Sequence, residues 1–375
     1  MKKQTTDKPL RVAKFGIRSI PPRAGSAGAD TCSMELSVRL VERGYKVTCY
    51  NRLYKGEESL GPQYRGIDLV YLKTVNKAGF DTIIHSAKAT FHIIFHNTAD
   101  IVQIGNGGNS FWGIFLRLFG KKVIVSQDGI DWARNKWPWY GKLFLFLSRY
   151  LTAYVPNILV FDNPFAREDF EKKFRKTFKM IPSGVDVREF EDNDAILKKL
   201  GLTPGEYILF VGRFIPDKGL HYLVPAFEQI KTSKKLVLIG GSPNPSAYES
   251  NLKQTTDKRI IMPGFIYGND TLNLMKNAYL YVQPSDVEGL SPVILTVMAL
   301  GTPLLCSDIR ENLYVVQDSA LLFKNGDIDD VKKQLIFALE NEQFIKDLAK
   351  KSKDKISQEY SWEKITDQYI EVYNE

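Results

Sequence analysis

Only three cysteines occur in 375 residues, Cys32, Cys49 and Cys306, an odd number scattered along the chain. Neither a disulfide framework nor a CxxC zinc site can be assembled from them, which favours a reducing cytoplasm. Long apolar runs are also missing. The longest, 111–119 and 143–155, are broken by Arg117, Arg149 and tyrosines before they reach the roughly 18–20 residues of a spanning helix. The start, MKKQTTDKPL, has no signal-peptide core. The expectation is a cytoplasmic protein, soluble or peripheral on the inner face of the membrane. No GxGxxG occurs, which removes the dinucleotide fingerprint, and no nucleic-acid signature accompanies the positive charge. What remains is ordinary globular composition, 44% hydrophobic and 25% charged, incompatible with disorder or a coiled coil.

Charge divides unevenly. Residues 1–185 hold 29 Lys+Arg against 15 Asp+Glu, and residues 186–375 hold 22 against 28, so the halves are suited to different partners. Short β-branched runs alternate with amphipathic stretches throughout: Val12–Ile17, Lys46–Tyr50, Ile67–Leu72, Ile101–Ile104 and Lys122–Ser126 begin the series. Tyr207–Val211, Lys235–Ile239, Leu280–Gln283 and Pro303–Cys306 continue it in the second half. Such alternation predicts α/β architecture with parallel sheets. The turn-rich Pro182-Ser183-Gly184 followed by polar 188–194 marks a hinge, giving domains 1–184 and 185–359. Ligands of doubly wound folds bind at the carboxyl ends of the strands.

Three segments carry chemistry. Between the first strand and helix, Gly25, Ser26, Ala27 and Gly28 let backbone N–H groups approach a phosphate or sugar closely; a flexible structural turn has the same composition. In Val211-Gly212-Arg213-Phe214-Ile215-Pro216-Asp217-Lys218-Gly219, two cations at a strand's carboxyl end can reach one anion, with a diphosphate the natural candidate. In Glu288-Gly289-Leu290-Ser291-Pro292 an acid that can accept hydroxyls adjoins a helix N-terminus.

VGRFIPDKGL and EGLSPVILTVMALGTPLLCSD resemble the donor-binding signatures of family-four retaining glycosyltransferases with the GT-B fold, two Rossmann-like domains facing a central cleft. GIRSIPPRAG and DGIDWARNKW are similar to the bacterial rhamnosyltransferase and polysaccharide branch. The resemblance covers essentially the whole chain. It implies that Arg213 and Lys218 clamp the donor diphosphate, and that Glu288 with the backbone of Gly289, Leu290 and Ser291 holds the donor sugar and phosphate. By the same resemblance Gly264 and Phe265 receive the base, Gly212 belongs to the donor-binding set, and residues 25–28 close over the phosphates. It further implies an acceptor-binding first domain, a donor-binding second domain, and a final helix, about 360–375, returning to the first.

The family motif has a second glutamate eight positions after the first; here Thr296 stands there. A carboxylate binds two ribose hydroxyls more strongly than a hydroxyl can. Three readings are open: a deoxyribose donor, reduced catalysis, or compensation by neighbouring groups. The histidine usual in the first domain is replaced by a run ending in Asp128. Asp128 is the candidate at the reaction centre, with Asp131 second; a turn-forming Asp-Gly is the alternative. His85, His92 and His96 read as a helix surface. Asp327-Ile328-Asp329 has a DxD form but reads as a helix cap, and no metal is called for. The aromatic and cationic segments 111–122 and 136–144 have interfacial composition, with core packing as the alternative.

The expected function is retaining, metal-independent transfer of a hexosyl or deoxyhexosyl group from a UDP-, GDP- or dTDP-sugar. The acceptor would be a hydroxyl of a glycan or lipid-linked molecule in cell-surface polysaccharide synthesis, with an anionic membrane as a further partner and nucleic acid excluded. The rival is a catalytically weak glycan- or nucleotide-binding partner of an active transferase.

Overall fold

A computed structural model describes residues 9–23, 26, 28–76, 79–127, 139–185, 191–242 and 246–375, with backbone alone for 139–145. The chain divides into two compact units, one of residues 1–183 with 362–375, the other 184–361.

Unit 1 runs β1 (Arg11–Phe15), α1 (Gly28–Glu42), β2 (Lys46–Leu53), β3 (Gln63–Tyr64), β4 (Ile67–Lys73), α2 (Phe80–His96) and β5 (Ile101–Gly105). It continues α3 (Trp112–Leu118), β6 (Lys122–Gln127), α4 (Trp139–Tyr154), β7 (Ile158–Phe161), α5 (Pro164–Phe174) and β8 (Lys179–Met180). The sheet order is β3-β4-β2-β1-β5-β6-β7-β8, parallel except for the β3–β4 pairing. Its central strands, such as Val123, Ile124 and Val125 of β6, are wholly buried, which explains their continuous apolar runs: a parallel sheet covered on both faces has no polar side. Gly16 (φ +93°) lies where a Cβ would fall 2.2 Å from the Gly105 carbonyl, so the carboxyl ends of β1 and β5 touch through glycine.

Unit 2 runs α6 (Ala195–Lys199), β9 (Tyr207–Arg213), α7 (Leu220–Glu228), β10 (Lys235–Gly241), α8 (Ala247–Leu252), β11 (Ile260–Gly264) and α9 (Asn269–Lys276). It continues β12 (Leu280–Gln283), α10 (Pro292–Leu300), β13 (Leu304–Ser307), α11 (Arg310–Val316), β14 (Leu321–Phe323), α12 (Ile328–Glu340) and α13 (Glu342–Glu359). Its all-parallel order is β11-β10-β9-β12-β13-β14. The chain leaves this unit where Val185 bridges Ser361. A last helix, α14 (Trp362–Asn374), packs in unit 1, burying Trp362, Ile365 and Tyr369 beside α1. Arg43 pairs with Glu363 and Asp367, and Lys122 Nζ donates to the last carbonyls Val372 and Tyr373, the helix end that attracts cations.

The histidine reading needs correction. His96 is exposed and His92 half-buried, but His85 is fully buried. All three share one stripe of α2, yet His85 lies beneath the end of β2, beside Tyr50, Asn51 and Arg52. Periodicity alone could not supply that cover.

Candidate active site

The carboxyl edge of the unit 2 sheet is built on close backbone approaches. Gly240 (φ +131°) would put a Cβ 1.8 Å from the Gly212 carbonyl, and Gly219 (φ +67°) would put one 1.7 Å from that of Pro284. No other residue type fits at these positions. The second contact seats the β9–α7 loop on the β12–α10 loop, and Asp286 N–H donates to the Asp217 carbonyl at 3.0 Å. Two segments about 70 residues apart in sequence therefore meet.

At their junction Lys218 Nζ donates to Glu288 Oε1 at 2.6 Å, with side-chain exposures of 18% and 7%. The same oxygen accepts Gln283 Nε2 and Ser285 Oγ, each at 2.6 Å. Behind them Tyr281 Oη donates to Gln283 Oε1 at 2.9 Å and Ser307 Oγ to the Ser285 carbonyl at 2.6 Å. Asn312 Nδ2 donates to Ser307, and burial holds the Tyr281 phenol well above its ordinary range. Gln283, Ser285, Ser307 and Asn312 are all buried; a satisfied polar network of this kind fixes one geometry. Residue type and spacing alone do not mark Gln283, Ser285 and Tyr281 as contributors. The signal for the first two is a pair of polar residues, Gln283 and Ser285, flanking Pro284 just past the apolar Leu280–Val282.

Lys218 is thus engaged with an acid, but that acid is itself a candidate, and an ammonium has three donors; two remain after Glu288. Arg213, at the end of β9, is exposed, and its side chain forms no hydrogen bond or ion pair among the described residues. The two cations are therefore not equivalent: one is anchored, the other is free.

Gly289 and Ser291 lead into α10, whose Ser291 gives no side-chain cap and whose first residue is proline. The first-turn N–H groups of α10 thus lack a capping side chain, the arrangement that attracts anions. Leu290 is 6% exposed and packs in the core, so its backbone alone is presented. Thr296 Oγ1 donates to the Pro292 carbonyl at 2.9 Å; its proton is committed within the helix and only its lone pairs are offered outward. Gly264 (φ +89°) has open space before it. Phe265 is 47% exposed, lies parallel to Tyr267 at 6.0 Å between ring centroids, and approaches Gly241 closely enough that a Cβ there would sit 3.0 Å from its ring.

In unit 1, Ser26 exchanges hydrogen bonds with the Arg23 backbone, and Gly28 opens α1. Buried Asp30 accepts Arg18 N–H at 2.7 Å, holding that loop. Gly25, Ala27, Asp128 and Asp131 lie outside the described residues. Asp327 caps α12, accepting from Asp330 N–H at 3.1 Å.

Residues 192–355 match the family model Glycosyl transferases group 1. The chain is 30% identical over 135 residues to a putative teichuronic acid biosynthesis glycosyltransferase, TuaC, of Bacillus subtilis, covering 35% of this chain and 33% of that one. It is 27% identical over 229 residues to a GDP-mannose-dependent monoacylated phosphatidylinositol monomannoside mannosyltransferase of Corynebacterium glutamicum, covering 55% and 59%. The matched region thus spans between a third and three-fifths of these relatives' length. Among solved structures, the sucrose-phosphate synthase of Thermosynechococcus elongatus superposes with a TM-score of 0.84 at 18% identity over 97% of this chain and 98% of that one. HepE of Anabaena, solved with UDP and glucose, superposes with 0.80 at 15% over 97% and 99%. The chain therefore has the GT-B fold of two Rossmann-like units, and its second unit carries the match to the group 1 glycosyl transferases.

Proposed function

We propose that this protein is a retaining glycosyltransferase that moves a hexosyl or deoxyhexosyl group from a nucleoside-diphosphate sugar to a hydroxyl of a glycan or lipid-linked acceptor in polysaccharide synthesis. The observation that carries the reading is the pairing of Lys218 with Glu288, together with an Arg213 at the carboxyl end of β9 that is unpaired among the described residues. Arg213 and the two remaining donors of Lys218 stabilise the charge that builds on the diphosphate as the glycosidic C–O bond breaks, the term that dominates such catalysis. The free N–H groups of α10 add to it. Glu288, held by Gln283 and Ser285, accepts sugar hydroxyls through its second oxygen, and Phe265 offers a ring to the base. Retention follows from attack on the face the diphosphate leaves: the acceptor oxygen forms the new C–O bond, its proton passes to the departing phosphate, and no metal enters. Asp128 is the acid proposed to orient the acceptor.

A second reading is supported by Thr296, whose hydroxyl proton is spent on Pro292: a partner protein that binds the nucleotide without turnover. Thermal-shift screening with UDP-, GDP-, ADP- and dTDP-sugars identifies the donor, since a bound ligand stabilises the fold. Slow release of nucleoside diphosphate from that donor without acceptor supports the enzyme. Binding with no release under any acceptor condition supports the partner, and no stabilisation by any donor overturns both.

A further inference from the structure

We propose that the outer faces of α2, α3 and α4 form a docking surface for an anionic phospholipid bilayer. On α2, Phe80, Ile83, Phe91 and Phe95 are 55%, 47%, 41% and 77% exposed. Their offsets of 0, 3, 11 and 15 place them on one stripe, and the core side of the helix is supplied by other residues, Ala89 and Ile93. The stripe continues onto α3: Phe91 packs against Trp112 and Phe115. Leu118 and Phe119, at its end, are 77% and 61% exposed. On α4, Phe146, Leu147, Tyr150 and Tyr154 are likewise exposed, and Arg117 of α3 donates to the Val155 carbonyl just beyond α4. Scattered exposed apolar residues need no explanation, whereas a contiguous aromatic face marks an interaction surface.

Charge selects the occupant. Beyond Asp81, α2, α3 and α4 contain no acid, while Lys88, Arg117, Lys121 and Arg149 lie on or beside them. Lys173 stands over the rings of Phe146 and Tyr150, and Lys176 over Tyr154. Arg117, Gly120, Lys121, Lys122 and Glu375 are among the residues lining a hollow of about 690 Å³, and Leu118 and Phe119 lie between Arg117 and Gly120 in the chain. Aromatic side chains at headgroup depth with cations reaching phosphate is the interfacial pattern. A second copy is disfavoured, because an isologous pairing would set the cationic rim against itself. This surface belongs to unit 1 and does not rest on the donor site proposed above.

The test is sedimentation of the full chain with vesicles of phosphatidylglycerol and phosphatidylcholine in equal parts, against phosphatidylcholine alone, at low and high salt. Binding is expected to the anionic vesicles, to fall with salt, and to weaken about fivefold for each charge removed in Arg117→Gln and Lys121→Gln. The triple variant Phe95→Ser, Leu118→Ser, Phe119→Ser should lose binding while keeping its melting temperature and its nucleotide-induced thermal shift. Absence of binding by the unaltered chain at low salt overturns the proposal. So does undiminished binding by the triple variant, or a concentration-dependent dimer in velocity sedimentation that the same substitutions abolish.

Discussion

The contrast between the two cations of unit 2 yields a quantitative test. Arg213 is exposed and unpaired among the described residues, so Arg213→Met should change stability by no more than about 0.5 kcal/mol. Lys218 is different: its ammonium holds Glu288 Oε1 at 2.6 Å in a site where that carboxylate is 7% exposed. Lys218→Met leaves the carboxylate with Gln283 and Ser285 as donors, and a stability loss of about 1–3 kcal/mol is expected. At about 2–4 °C per kcal/mol for a unit of this size, differential scanning calorimetry resolves the two. The double variant Lys218→Met, Glu288→Gln should recover most of that loss, because both charges are gone. Turnover should not follow stability. On the proposed mechanism each single variant removes one preorganised charge from the departing diphosphate, an expected cost on the order of 10²–10³ in kcat, measured as nucleoside diphosphate release. The decisive variant is Arg213→Met, since its fold is unaffected. If it melts as the unaltered chain does and turns over within twofold of it, the clamp is not where the reaction happens.

Three further outcomes follow from particular side chains. Burial pushes the His85 imidazole from its ordinary value of 6.5 down to about 3, so between those values the unfolded chain binds a proton the folded chain refuses. Stability is then full above pH 6.5 and falls as pH drops towards 3, by about 4–5 kcal/mol in all; His85→Leu should flatten that acid limb in melting temperature against pH, and an unchanged slope would place its cause elsewhere. Gly219→Ala forces a Cβ to 1.7 Å from the Pro284 carbonyl and should destabilise at or beyond the upper end of the usual ~0.5–3 kcal/mol range, with loss of nucleotide binding; a melting temperature within a degree of the original would refute the close approach. Thr296→Glu supplies a charged acceptor and should raise the preference for UDP over dUDP about tenfold by calorimetry, whereas equal affinities would show that position 296 does not face the ribose.

The α/β alternation was legible because a parallel sheet covered on both faces demands unbroken apolar runs, as in Val123–Val125 and Ile208–Phe210, and because helix ends carry local signals, such as Pro292 opening α10 and Gly301 (φ +74°) closing it. Arg213, Lys218 and Glu288 were legible as candidates from residue type and position at strand ends. Sequence by itself thus determined the architecture and the chemistry available at the sheet edge, since both depend on local pattern. Tertiary structure alone decided that Lys218 Nζ donates to Glu288 Oε1, because that contact needs Gly219 pressed on Pro284 across about 65 residues. It alone decided that Gln283 and Ser285 support them, that His85 is buried while His96 on the same stripe is not, and that the apolar stripe of α2 joins that of α3 through Phe91. Apart from the loop-local contacts of Gln283 and Ser285 with Glu288, these are meetings of segments separated in sequence, and helical or strand periodicity describes only which way a residue faces, not what arrives to meet it.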